Sequence, residues 1–257
     1  MAALITGASS GIGLELTRIL AGHGHDVILV ARQEDRLRTL AAEVGAGGVR
    51  AHVLAADLGA PDAAAALVAR VQALGLDVDV LVNNAGFGLY GRFAETALAT
   101  ELSMIQLNIV VLTELTKRLL PAMVARKRGR ILNVASTAAF FPGPLMAVYY
   151  ATKAYVLSLS EAIANELQGS GITVTALCPG PTESGFQAAA GLEGSKLVAG
   201  RTLQTSREVA EEGYAAMMAG TPLVVTGFSN KVQVLAPRLL PRRMLASIVR
   251  AAQERRK

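Results

Sequence analysis

Short apolar runs alternate with stretches of helical period along the whole chain. The runs at 2–6, 26–31, 49–54, 78–83, 129–135, 172–178 and 222–226 read as strands. Between them, apolar residues recur with a helical period near 12–22, 34–44, 62–74, 98–127, 147–168 and 206–219. Thr205-x-x-Glu208 reads as a capping box that opens the last of these helices. Alternation of this kind implies an α/β fold: a doubly wound parallel sheet of about seven strands with helices on both faces. Ligands of such sheets bind beyond the carboxyl ends of the strands. The turn at Gly7, Arg32, Asp57, Asn83, Ser136 and Pro179 all fall at such ends.

No repeat, low-complexity tract or linker divides the chain. The expected organisation is one domain over 1–230 with a basic amphipathic extension over 231–257. Within the domain, 181–204 lacks clear periodicity and carries glycines at 185, 191, 194 and 200. It reads as a mobile lid over the substrate.

With 257 residues and 52% hydrophobic content the chain can bury a substantial core. Mean hydropathy is +0.40, yet no uninterrupted apolar stretch reaches the roughly 18 residues of a spanning helix. The first strand begins at once, with no cationic leader before it, so the expectation is a cytoplasmic protein. Cys178 is the only cysteine, which excludes an internal disulfide and fits a reducing compartment. Beside Pro179, it reads as a small buried hydrophobe. The net charge of +5 is modest, aromatics are 4% and no stacking motif is present, so nucleic-acid binding is not expected. No metal site is expected either. In the extension, Arg238, Arg242, Arg243, Arg250, Arg255, Arg256 and Lys257 are interspersed with aliphatic residues, while Pro237 and Pro241 prevent one long helix. Packing on the domain or on a partner subunit is the favoured reading, with contact to an anionic membrane surface the alternative.

The first strand breaks into Thr6-Gly7-Ala8-Ser9-Ser10-Gly11-Ile12-Gly13 and then a helical pattern. Strand, glycine-rich turn and helix form the context of a phosphate-binding fingerprint. Glycines let the backbone approach a pyrophosphate, and the helix start favours its charge. The second strand ends on Arg32, where an acidic residue would hold ribose hydroxyls and an arginine accommodates a 2′-phosphate. Arg32 therefore points to NADP(H) over NAD(H); the alternative is a solvated arginine, as Arg36 and Arg38 would be.

Tyr149 and Lys153 stand four residues apart, on one face if the segment is helical. A cation held near a phenol lowers its pKa from roughly 10 toward the working pH of a general acid. Closing a gap of about three units takes roughly 4 kcal/mol. Tyr150 is the adjacent candidate, but only Tyr149 has a lysine four residues on. Ser136 follows the apolar run 131–135 at a strand end, ahead of Thr137. Taken singly, Asn108 reads as a buried polar residue of a helix and Asp57 as a helix cap.

Together, Thr6-Gly7-x-x-x-Gly11-x-Gly13, Asp57-Leu58, Asn83-Asn84-Ala85-Gly86, Asn108, Ser136, Tyr149-x-x-x-Lys153 and Pro179-Gly180 stand in the order of a known family. The chain resembles the short-chain dehydrogenase/reductase family in its compact single-domain form, over nearly all its length to about residue 226. The resemblance implies a Rossmann-type fold and an NADP(H)-dependent oxidoreductase that interconverts a ketone or aldehyde and an alcohol. Gly7, Ser9, Ser10, Gly11, Ile12, Gly13 and Arg32 would hold the cofactor phosphates. Asp57 and Leu58 would meet the adenine, and Asn83 to Gly86 would line the adenosine side. Ser136 would bond the substrate carbonyl and Tyr149 would donate the proton. Lys153 would bind the nicotinamide ribose, and Asn108 would position a water chain. Pro179, Gly180 and Thr182 would cover the nicotinamide. The family also implies a homodimer or homotetramer built on the helices near 98–127 and 147–168. Leu89, Tyr90, Phe93, Phe140, Phe141, Leu145 and Phe186 are candidates for an apolar pocket. An acyl-chain or steroid substrate, a cofactor-binding regulator and a membrane-surface protein remain open.

Overall fold

The computed structural model describes residues 1–192, 195–196 and 202–254. Residues 193–194 and 197–201 of the expected lid and Arg255 to Lys257 of the extension lie outside the described residues, as do the side chains of Arg238, Leu239 and Arg242.

Seven parallel strands form the centre: β1 (Ala2–Thr6), β2 (Asp26–Ala31), β3 (Ala51–Ala55), β4 (Val78–Asn83), β5 (Gly129–Val134), β6 (Ile172–Cys178) and, after a two-residue pair of β7 (Thr182–Glu183) and β8 (Gln204–Thr205), β9 (Leu223–Val225). Their order is β3-β2-β1-β4-β5-β6-β9. The chain starts at the middle, winds to one edge, then returns to pair β4 with β1 and winds to the other. The reversal opens a crevice between the carboxyl ends of β1 and β4. Strands covered on both faces are apolar throughout instead of alternating, and every residue of β1 and β4 is buried.

One face of the sheet is covered by α1 (Gly11–Gly22), α2 (Glu34–Gly45) and α8 (Ser206–Ala219), which bring Leu16, Leu20, Leu37, Val209 and Met217 against Ile5, Leu29 and Leu177. On the other face, α3 (Ala63–Ala73) and the long helical run bring Leu67, Val71, Leu115 and Met123 against Leu4, Ile28, Leu81 and Ile131. That run comprises α4 (Leu98–Ile105), a π-helical turn (Gln106–Val111) and α5 (Leu112–Arg126). By length and mean hydropathy it passes for a membrane span, but Leu115, Leu119 and Met123 are packed in the core. The next helix, α6 (Ala147–Glu166), buries both Tyr149 and Lys153.

The expected elements stand within two residues of their sequence-derived limits. The capping box at Thr205 and Glu208 is formed in both directions. One feature departs from expectation, and a second, the extension broken at its prolines, follows it. The segment after Pro179 is not irregular throughout, because β7 and α7 (Phe186–Ala189) give it local order. The extension folds into α9 (Phe228–Gln233), α10 (Ala236–Leu239) and α11 (Arg242–Gln253), with Pro237 in the first turn of α10 and Pro241 at the N-cap of α11. Proline is tolerated at such starts, where no intrahelical donor is required.

Candidate active site

The opening turn is held shut by side-chain bonds across the crevice. The Thr6 hydroxyl donates to Val82 O at 3.1 Å and accepts from the amides of Asn84 and Ala85 at 3.0 Å. The Asn84 amide donates back to Thr6 O and Gly7 O at 2.9 and 3.2 Å. Gly7 and Gly11 adopt φ of +67° and +56°, a region that side chains disfavour. Gly13 is required for space: a Cβ there would lie 2.4 Å from both Gly7 O and Asn84 Nδ2. Ser9, Ser10, Gly11, Ile12 and Gly13 thus form a tight entry to α1. The N-cap Ser10 makes no side-chain capping bond, so the first amides of the helix keep their affinity for an anion.

Arg32, just past β2, is exposed and has no hydrogen bond or ion pair among the described residues. Arg38, by contrast, is engaged by Glu34 on the surface of α2. Asp57 does not cap a helix: its Oδ1 accepts from the Gly59 amide at 2.9 Å, six residues before α3 begins, while Leu58 is buried beside it. Asn83 departs from the adenosine-side position that the resemblance implied. Its Nδ2 donates to Thr116 Oγ1 at 3.0 Å and Asn133 Oδ1 at 2.9 Å, inside the core. Alternation along β4 turns Asn83 inward.

At the end of β5, Ser136 caps the short helical turn Thr137–Phe140. Its hydroxyl accepts from the Ala138 amide at 3.1 Å and donates to Pro179 O at 3.3 Å, joining the ends of β5 and β6. Gly180 packs beneath Asn230 of α9, where a Cβ would lie 2.4 Å from the amide. Thr182 donates to Gly180 O at 2.9 Å and is buried. The Lys153 ammonium donates to Val134 O at 2.7 Å and lies 5.8 Å from the centre of the Tyr149 ring.

Asn108 sits in the π-helical turn, a distortion that often marks functional sites. Its Nδ2 donates to Phe87 O at 3.0 Å and Thr152 Oγ1 at 3.1 Å, and its Oδ1 accepts from the Phe87 amide at 3.2 Å. Asn108 is a buried polar residue of the helical run, as its spacing alone suggested, and it ties the loop after β4 to α6 between Tyr149 and Lys153. Gly86 permits this approach, because a Cβ there would lie 2.9 Å from Asn108 Oδ1.

Burial controls the charges. It raises the Tyr149 phenol above its ordinary value, against the neighbouring Ser136 hydroxyl, which pulls it down. It lowers Lys153 to about 8 and pushes the Cys178 thiol up to about 12. The depression of Tyr149 expected from Lys153 is absent; Ser136 alone pulls the phenol down, and desolvation outweighs it.

An apolar cluster closes over Tyr149. Phe186 of α7 lies 5.4 Å from its ring centre to centre, and Met104, Met146, Leu89, Tyr90, Phe141 and Leu192 complete the group. Of the apolar candidates, Phe93 is instead exposed and Phe140 packs with Leu112 and Val156. The sequence reading missed Met104, Leu192 and Met146, the last signalled by its place three residues before Tyr149, and Val249 of α11, which joins the same cluster with no local signal at all.

The family model for short chain dehydrogenases matches residues 1–193. The ketoacyl reductase HetN of Nostoc sp. is 37% identical over 177 residues, which are 69% of this chain and 62% of that protein. The chain spans about 60% of the length of the first curated relatives it matches. A short-chain dehydrogenase from Sphingobium yanoikuyae, solved in complex with NADPH, is 33% identical with a TM-score of 0.83 over 98% of both chains. A 7β-hydroxysteroid dehydrogenase is 26% identical, with a TM-score of 0.87 over 96% of both.

Proposed function

The chain belongs to the short-chain dehydrogenase family of oxidoreductases, and on that premise we propose that it interconverts an apolar ketone or aldehyde and its alcohol with NADP(H). The observation that carries this reading is the gathering of Ser136, Tyr149, Lys153 and Asn108 at the ends of β4 and β5, beside the glycine turn after β1. The residues fit the cofactor. Gly13 leaves a cradle that a Cβ would fill, the start of α1 is open to a pyrophosphate, and Arg32 is free for a 2′-phosphate. The NADPH bound by the Sphingobium relative supports the same choice. When bound, NADP(H) supplies or accepts the hydride.

The protein's own groups handle the proton and the oxygen. Burial keeps Tyr149 protonated at neutral pH, so its hydroxyl is a proton donor to a carbonyl oxygen, and the Ser136 hydroxyl would donate to the same atom by turning its one proton away from Pro179 O. Lys153, lowered to about 8, is still mainly charged at pH 7 and is the cation positioned to favour phenolate once the proton has left. Asn108 and Thr152 hold the polar path behind it. Phe186, Met146 and Tyr90 would exclude water and favour an apolar substrate.

The test is NADPH consumption on a panel of aldehydes, ketones and acyl carbonyls, with Tyr149→Phe alongside. Turnover should fall by about 10²–10⁴-fold in the variant with NADPH affinity retained. Equal turnover in both proteins, or none on any carbonyl, would refute the reading. We propose in addition a homodimer or homotetramer through α4, α5 and α6, supported by the exposed Leu102, Val110, Val124 and Tyr155. The exposed Met244 and Ile248 of α11, flanked by Arg243 and Arg250, support a weaker peripheral contact with anionic membranes, checked by vesicle sedimentation.

A further inference from the structure

The final helix carries a polar side chain to the back of the apolar cluster around Tyr149. Leu245, Val249 and Gln253 recur every four residues and so share one stripe of α11. Leu245 is buried, Val249 packs on the cluster and Gln253 is 0% exposed. Gln253 Nε2 donates to Tyr150 Oη at 2.5 Å. The Tyr150 ring is fixed against Gly143, where a Cβ would lie 2.0 Å from it, and it meets Tyr149 edge-on with ring centres 6.1 Å apart. The amide therefore stands one ring beyond the proposed proton donor.

Gln253 Oε1 has no partner among the described residues. Turning the amide end for end exchanges its donor and acceptor but still leaves one polar atom unpaired. A second unpaired group lies close by in the fold. Ser195 Oγ, on a residue 1% exposed, has no partner among the described residues, and the Lys196 amide donates to Glu254 O at 3.1 Å, which brings 195–196 against the end of α11. Buried polar atoms are nearly always paired, because leaving one dry is destabilising. A leucine at 253 would continue the apolar stripe without that cost.

Resting on the reductase reading, we infer that Gln253 is a specificity-determining residue: it reads a hydroxyl or amide group that the substrate carries across an apolar body from its reacting carbon. Tyr150 holds one end of the side-chain amide, and the substrate group takes the other. Ser195 is placed to add a second bond. Gln253 and Ser195 both lie beyond residues 1–193 that the family model matches.

The probes are straight-chain methyl ketones of graded length, each bearing a terminal hydroxyl or an isosteric terminal methyl. Equilibrium dissociation constants are measured for wild type, Gln253→Met and Tyr150→Phe, with thermal unfolding and NADPH affinity recorded for each. At one chain length the wild type should bind the hydroxylated member about tenfold more tightly. Gln253→Met should abolish that difference, and Tyr150→Phe, which removes the amide's anchor, should reduce it. No preference at any length, or the same preference in both variants, would overturn the inference. Binding needs no turnover, so hydroxyl discrimination without NADPH oxidation would refute only the reductase reading. Turnover of both members alike, with no difference in affinity, would refute only the role of Gln253.

Discussion

Replacing Lys153 with methionine should make the protein more stable and abolish its chemistry, and the gain should depend on pH in a defined window. The ammonium is buried, its bond is to Val134 O, and burial lowers its pKa from 10.5 to about 8. At about 1.36 kcal/mol per unit, holding that charge in the fold at neutral pH costs about 3 kcal/mol relative to the unfolded chain. The sign follows from proton counts: between pH 8 and 10.5 the unfolded chain keeps the proton that the folded chain has released, so wild-type stability rises with pH across that window. Below pH 8 the cost is fully present, and above 10.5 it is gone. Methionine fills similar volume without charge and forfeits the bond to Val134 O, worth about 1 kcal/mol. Lys153→Met should therefore unfold at higher urea at pH 7, by about 2 kcal/mol. Its margin over wild type should shrink by about 3 kcal/mol as the pH is raised toward 10.5. Urea titrations of both proteins at closely spaced pH values, followed by far-UV circular dichroism, read this directly. A margin that stays constant across the window would refute the argument that the buried charge is the destabilising group.

Three further outcomes are expected. Gly13→Ala places a Cβ 2.4 Å from Gly7 O, so it should lose about 1–3 kcal/mol of stability by thermal unfolding and weaken NADPH binding at the same time; an unchanged melting temperature would contradict the tight turn. Arg32→Glu should weaken NADPH binding by about 10- to 100-fold while leaving NADH within about a factor of three, as titration calorimetry would show; equal losses would remove Arg32 from the phosphate. Thr205→Ala removes the Thr205 Oγ1 that accepts from the Glu208 amide and leaves the Thr205 N–H bonded to Glu208 Oε2; it should cost about 1 kcal/mol in urea unfolding without altering NADPH affinity.

Much of this protein is written locally. The glycine turn, the capping box at Thr205 and the strand and helix limits each depend on residues within a few positions of one another, so period and backbone preference suffice to read them. The doubly wound sheet follows from the same source, because alternating strands and helices leave few ways to cover both faces. The spacing of Tyr149 and Lys153 also states their shared helix face, and Ser136 its strand end. What the spacing could not supply is the balance of burial against charge that raises Tyr149 and lowers Lys153, since desolvation depends on atoms from distant elements. The same holds for Asn83. It stands beside Asn84 in the chain, yet β4 turns one into the core and the other across the glycine turn. The π-helical turn that seats Asn108 leaves no mark in the hydrophobic period. Gln253 and Tyr150, bonded 103 residues apart, meet only because α11 folds back onto α6 and the apolar cluster around Tyr149. Local residues set the elements and the chemical kit; long-range packing decided which groups are dry, which are paired and what closes the pocket.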